Sequence, residues 1–91
     1  MADYLESAVV DLTIASNAAA RKVNHGCEIL NLTPSANATL TLTAGAGLAI
    51  GSRVVVCNKA AATYTVTVGT TSIAASTNKQ FVWNGASWLA V

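Results

Sequence analysis

Charge is what this chain has least of. Its 91 residues carry four acids, five bases and one histidine, so charged side chains amount to 10% and nearly cancel at +1. With a sequence pI near 7.8 there is no basic stripe to neutralise phosphates, which argues against nucleic acid as a partner. Hydrophobic residues make up 53%, too many for a disordered chain. Yet no stretch approaches the roughly 18 consecutive apolar residues that would suggest a membrane span, so no membrane association is expected. The opening Met1-Ala2-Asp3-Tyr4-Leu5-Glu6 has acids where a signal peptide needs bases, and the chain is expected to be made as a mature cytoplasmic protein.

Metal ligands and nucleophiles are equally scarce. There is one histidine and there are two cysteines, whereas a structural zinc site wants four ligands, usually in close pairs. His25-Gly26-Cys27 therefore reads as a loop histidine beside a small, half-buried thiol, with Cys57 alone. A Cys27 to Cys57 disulfide is open to the chain if their strands are neighbours, although a cytoplasmic protein rarely keeps one. All four carboxylates (Asp3, Glu6, Asp11 and Glu28) lie in the first third, a poor basis for a glycosidase pair. Gly45, Gly47 and Gly51 loosely imitate a dinucleotide fingerprint, but a strand-like segment follows where a helix is required. Asn31-Leu32-Thr33 and Asn37-Ala38-Thr39 are glycosylation acceptors in form only. No catalytic residue, metal site or cofactor is assigned.

What is present is alternation. Ala8 to Ile14 places Val10, Leu12 and Ile14 on one face and Val9, Asp11 and Thr13 on the other. Cys27 to Leu32 and Ala38 to Thr43 read as strands, the second with Leu40 and Leu42 inward, separated by a turn at Thr33-Pro34-Ser35-Ala36-Asn37. Ala15 to Lys22 has helical propensity without large apolar residues at helical spacing, and is read as a loop with at most one helical turn. A glycine-punctuated link, Ala44 to Ser52, leads into Arg53-Val54-Val55-Val56-Cys57, and Asn58 to Ala62 forms the next turn. Thr63 to Gly69 alternates again, and a very short strand surrounds Ile73.

The valine strand bears on oligomeric state. A chain this short buries only about 60–65% of its unfolded surface and is marginal as a lone β domain. Val54, Val55 and Val56 are apolar on both faces of their strand and need cover from a second sheet or a neighbouring subunit. Our reading favours the subunit and makes these residues the candidate interface.

The C-terminal segment Gln80 to Leu89 reads as a hairpin closed by Asn84-Gly85 in a type I′ turn. A two-residue loop would pair Trp83 with Ala86, Val82 with Ser87 and Phe81 with Trp88, with Phe81, Trp83 and Trp88 on a common face. Core packing is the ordinary role of such rings. A stacking surface for sugars, built on Trp83, Asn84 and Trp88, is the sharper alternative.

In this order the elements resemble the small β modules of tailed-bacteriophage virion proteins, found in head decoration proteins and at tail fibre or spike tips. The resemblance runs from about residue 27 to 91. It rests on Gly51-Ser52-Arg53-Val54-Val55-Val56-Cys57-Asn58, Thr65-Val66-Thr67-Val68-Gly69 and Phe81-Val82-Trp83-Asn84-Gly85-Ala86-Ser87-Trp88. It implies a homotrimer, no catalysis, and loops that bind a capsid lattice or a host surface. About two dozen residues precede the matched region, where a fibre usually carries a long shaft, so a capsid decoration or cement protein is expected first. A fibre or spike tip is the alternative, and a small lectin-like module binding a host-surface glycan is the third reading. The expected partners are the chain itself and the major capsid protein or another virion protein. The expected location is the virion, after synthesis in the host cytoplasm. Residues 1–7, with Asp3, Tyr4, Leu5 and Glu6, are expected to form a capsid-binding arm. Residues 8–91 are expected to form a single all-β domain, a compact antiparallel sandwich or barrel-like module of about seven or eight short strands.

Overall fold

Side-chain alternation sets which side of each strand is buried. In the segment beginning at Cys27, Glu28, Leu30 and Leu32 are buried while Ile29, Asn31 and Thr33 turn the other way; Val54, Val56 and Asn58 are likewise buried against Arg53, Val55 and Cys57. The computed structural model describes residues 7–14 and 17–91, which contain nine strands and no helix. The strands are β1 (Ser7–Ile14), β2 (Ala18–Val23), β3 (Cys27–Pro34), β4 (Ala38–Ala44), β5 (Arg53–Asn58), β6 (Val66–Val68), β7 (Thr71–Ile73), β8 (Asn78–Trp83) and β9 (Trp88–Ala90). The Cα radius of gyration, 12.8 Å, is close to the value of about 12 Å for a compact chain of this length.

Two sheets result, in the orders β1-β3-β5-β8-β9 and β2-β4-β6-β7. From β1 to β6 the chain changes sheet at every connection. Successive strands of one sheet therefore run the same way, and β1, β3 and β5 are parallel neighbours, as are β2, β4 and β6. Parallel pairs need a crossover, and here each crossover is a strand of the other sheet. Only the last three strands add antiparallel partners. The expected antiparallel sheets are thus corrected to mixed ones, because alternation records which face is buried and carries no information about strand direction.

The buried residues of both sheets join in one cluster that includes Leu30, Leu32, Val54, Val56 and Phe81 from one sheet and Val23, Leu40, Val66 and Ile73 from the other. Leu40 is fully buried, and Leu42 is half-buried and packs against the cluster. Val54 and Val56 are each 0% exposed within the single chain, so the second sheet supplies their cover. This corrects the subunit-interface reading for that pair; only Val55 turns to the outer face.

Three local readings change. Ala18–Val23 is a strand, not a loop with a helical turn, because it pairs along its whole length with β4 and sends Ala19, Arg21 and Val23 inward. Pairing overrides the modest helical preference of its alanines. The first strand starts at Ser7, within the segment read as an arm. The Thr63 to Gly69 strand shrinks to Val66–Val68, since Asn37 Oδ1 accepts the Thr65 N–H at 2.9 Å and Asn58 Nδ2 donates to the Tyr64 carbonyl at 2.9 Å.

Turn chemistry explains the C-terminal half. Val68 pairs with Thr71 across Gly69-Thr70, and Gly69 has φ +60, the requirement at the first central position of a type II′ turn. Ala74 to Thr77 crosses between sheets through a turn in which the Thr77 N–H donates to the Ala74 carbonyl and Ser76 takes φ +65. The closing hairpin has a four-residue loop, residues 84–87, instead of the expected two, and Trp83 lies opposite Trp88, Val82 opposite Leu89 and Phe81 opposite Ala90. Asn84 is the reason: its Oδ1 accepts the Ala86 and Ser87 N–H groups at 2.8 and 2.7 Å, an Asx turn that lengthens the loop. Gly85, not Asn84, supplies the positive φ, at +95. A shift of two residues preserves side-chain parity, so Phe81, Trp83 and Trp88 still share a face.

Candidate functional site

Three features of the structure could carry function: two buried polar anchors, an outer sheet face, and a notch between the sheets.

The first anchor is Glu28, whose side chain is completely buried and bridges the sheets. It accepts from Arg21 Nε and Nη2 of β2 at 3.1 and 2.9 Å, and its other oxygen accepts the backbone N–H groups of Asn24 and His25 at 2.9 and 3.2 Å. Burial pushes the carboxyl upward, but the Asn24 N–H, the Arg21 guanidinium and the His25 N–H together outweigh it and hold the group below its ordinary value of 4.5. A carboxylate so fully engaged holds a tight turn and an ion pair, and has no free lone pair aimed at a substrate. The second anchor is Asn58 at the end of β5. Its Nδ2 donates to the carbonyls of Tyr64 and Ile73 at 2.9 and 3.0 Å, and its Oδ1 accepts from the Ala60 N–H at 3.1 Å, so three backbone segments are tied at one residue.

The outer face of the five-stranded sheet is the second feature. Registers place Val9 beside Ile29, Ile29 beside Val55, and Val55 beside Gln80, whose carbonyl accepts the Val91 N–H. A neighbouring row runs Cys27, Arg53, Val82, Leu89. Val9, Leu89 and Val91 are 64%, 50% and 67% exposed, and with Ile29, Val55 and Val82 they make an apolar band across the sheet, about 24 Å wide for five strands at the usual spacing. Asp11 and Asn31, hydrogen-bonded at 3.1 Å, border it on one side, and the exposed Arg53 lies at the other. Cys27 and Cys57 are both free thiols on this face. Their strands are neighbours, but Cys27 pairs with Arg53 and Cys57 with Asn31, four residues out of register. That offset is about 13 Å along the strands and rules out a direct disulfide.

The third feature contains Trp83 and Trp88, whose ring centroids are 5.3 Å apart at an interplanar angle of 46°. Both are half-buried on the inner face, continuing the line of Phe81, and Trp88 packs against the core. They line an open cavity of about 740 Å³ bounded by β4, the β6–β7 turn and the β8–β9 hairpin. Asn84 is exposed in the same hairpin, but its carboxamide oxygen already caps the loop.

Among the described residues no group of three or more His, Cys, Asp or Glu comes together in a way that could hold a metal ion. Gly51 precedes strand β5, not a helix, and Gly45 packs against the Asn24 carboxamide, so these glycines do not build a phosphate cradle. The arm residues Asp3, Tyr4, Leu5 and Glu6 lie outside the described residues. Sequence reading found the tryptophans, but it missed Glu28 and Asn58 as anchors, and the apolar outer row becomes visible only once the register is known. In comparisons with known proteins, no family model and no curated protein matches the chain.

Proposed function

We propose that this chain is a non-enzymatic structural protein of a bacteriophage virion, a capsid decoration protein that acts as a homotrimer. The observation that carries the proposal is the largely apolar band on the outer sheet face, in which the exposed Val9, Leu89 and Val91 join the half-buried Ile29, Val55 and Val82, with Gln80 between Val55 and Val91 and Arg53 beside Val82. The buried residues of the two sheets already form one cluster, so this band is apolar surface that the chain does not need for its own core. Exposed apolar side chains gathered on one sheet face mark association sites. Identical copies cover it most economically around a closed rotation axis, and three copies would bring three such faces together. The resemblance of residues 27 to 91 to virion β modules supports the trimer and the capsid partner, and Val55 retains the interface role first given to all three valines.

Light scattering on the size-exclusion peak tests this directly. The expected mass is about three times the 9.2 kDa chain, and Val9→Lys combined with Leu89→Lys should return it to that of a monomer while the β-sheet circular dichroism is retained. A wild-type monomer at high micromolar concentration would remove the proposal's basis.

The coil-like winding of β1 to β6 favours a second reading, a tail fibre or spike tip. There the exposed β8–β9 loop meets the host. Ala86→Lys should then lower adsorption of virions to host cells about tenfold, which corresponds to the loss of one ordinary contact; unchanged adsorption counts against the tip.

A further inference from the structure

We propose that the notch holding Trp83 and Trp88 is a binding site for a neutral oligosaccharide. Strand lengths create the notch. Residues Ala38 to Leu40 of β4 pair with Val66 to Val68 of β6, whereas from Thr41 to Ala44 no strand pairs with β4 on that side among the described residues. The opposite sheet continues past this gap with β8 and β9, and the tryptophan rings lie beneath it. The cavity of about 740 Å³ falls within the usual range for ligand sites, roughly 300 to 1,000 Å³.

The chemistry of the walls selects the ligand. Among the described residues none of the lining side chains is ionisable, so an anionic or cationic ligand would lose hydration and meet no opposite charge there. What the walls offer is two indoles, the open edge of β4 and the hydroxyl-bearing residues Thr71 and Ser87. A sugar ring presents an apolar C–H face and a rim of hydroxyls that both donate and accept, which matches indole faces beside hydroxyls and an unpaired strand edge. A further donor needs a small movement of the indole: the Trp88 Nε1–H is shut away from solvent and has no acceptor among the described residues. A ligand hydroxyl reaching it would supply the missing partner. A peptide adding to the β4 edge is less well served, because the gap is only four residues long and the β6–β7 turn closes one end. The site uses the inner face and the gap in the smaller sheet. The oligomer proposed above uses the outer face of the larger sheet, and the two surfaces meet at Leu89, which borders both.

The two indole N–H signals in a proton–nitrogen correlation spectrum of the full chain provide the test. The protein is titrated separately with neutral hexasaccharides of glucose, mannose and N-acetylglucosamine, and with a Thr-Val hexapeptide. At least one sugar should shift the Trp88 indole signal saturably. Trp83→Phe should weaken that binding about tenfold, and Ser87→Lys, at an exposed loop position on the rim, should abolish the shift while the rest of the spectrum stays native. No shift with any sugar up to about 10 mM would overturn the proposal, since weaker binding has no specificity to explain. A saturable shift with the hexapeptide alone would overturn it in favour of strand addition.

Discussion

Glu28→Ala should lower the unfolding free energy by about 3 kcal/mol, the lower end of the cost of breaking a buried ion pair, because Arg21 keeps 28% of its side chain in contact with water. The loss has two parts. Arg21 is left partly buried without its carboxylate, and the N–H groups of Asn24 and His25 lose their acceptor. For a domain of this size that amounts to a fall in Tm of about 12 °C or more, readable by thermal circular dichroism. Glu28→Gln separates charge from shape. The native carboxyl titrates below its unfolded value near 4.5, so its stabilisation is fully present above that pH and is lost as pH falls through the folded value. The wild type should therefore lose stability more steeply than Glu28→Gln as pH drops below about 4.5. Parallel acid profiles for the two proteins would show that the pair contributes nothing through charge.

Asn58→Asp should cost a similar amount, about 3 kcal/mol at neutral pH, although it changes one atom type and no volume. The amide nitrogen that donates to the Tyr64 and Ile73 carbonyls becomes an oxygen facing two oxygens, and only the Ala60 N–H remains complementary. Buried among carbonyls, the new carboxyl is favoured in its protonated form, so its folded pKa is raised and protonation stabilises the fold. The penalty should therefore shrink as pH falls, opposite to the trend at Glu28. Urea unfolding at pH 7 and pH 5 reads both signs, and a variant as stable as the wild type at pH 7 would show that the carbonyls of residues 64 and 73 find other donors.

How much of this was legible in the residues depends on how local each signal is. Alternation at Ala8 to Ile14, Cys27 to Leu32, Ala38 to Thr43 and Arg53 to Cys57 marked four strands close to where they lie, because burying one face of a strand imposes period two on the chain itself. The shared face of Phe81, Trp83 and Trp88 survived an error of two in register for the same reason. Strand direction, in contrast, left no trace, and neither did the alanine-rich β2, whose strand state depends on β4 lying beside it and on Arg21 finding Glu28 across the sheets. The Asn84-Gly85 pair signalled a turn correctly and its length wrongly, since the competing hydrogen bonds of the Asn84 side chain are a matter of geometry.

By itself, then, the sequence determined an all-β chain, poor in charge and in ligand-forming residues, with aromatic rings gathered on the face of its last hairpin. These are properties of composition and of near neighbours, which no folding is needed to bring together. The tertiary structure alone decided that Val54 and Val56 serve the chain's own core, that Glu28 and Asn58 are structural anchors, that Cys27 and Cys57 stand out of reach of each other, and that Val9, Ile29, Val55, Gln80 and Val91 line up as one outer row. Each of these depends on the register between strands that are distant in the chain, and period-two alternation is unchanged by a shift of two residues or a reversal of direction.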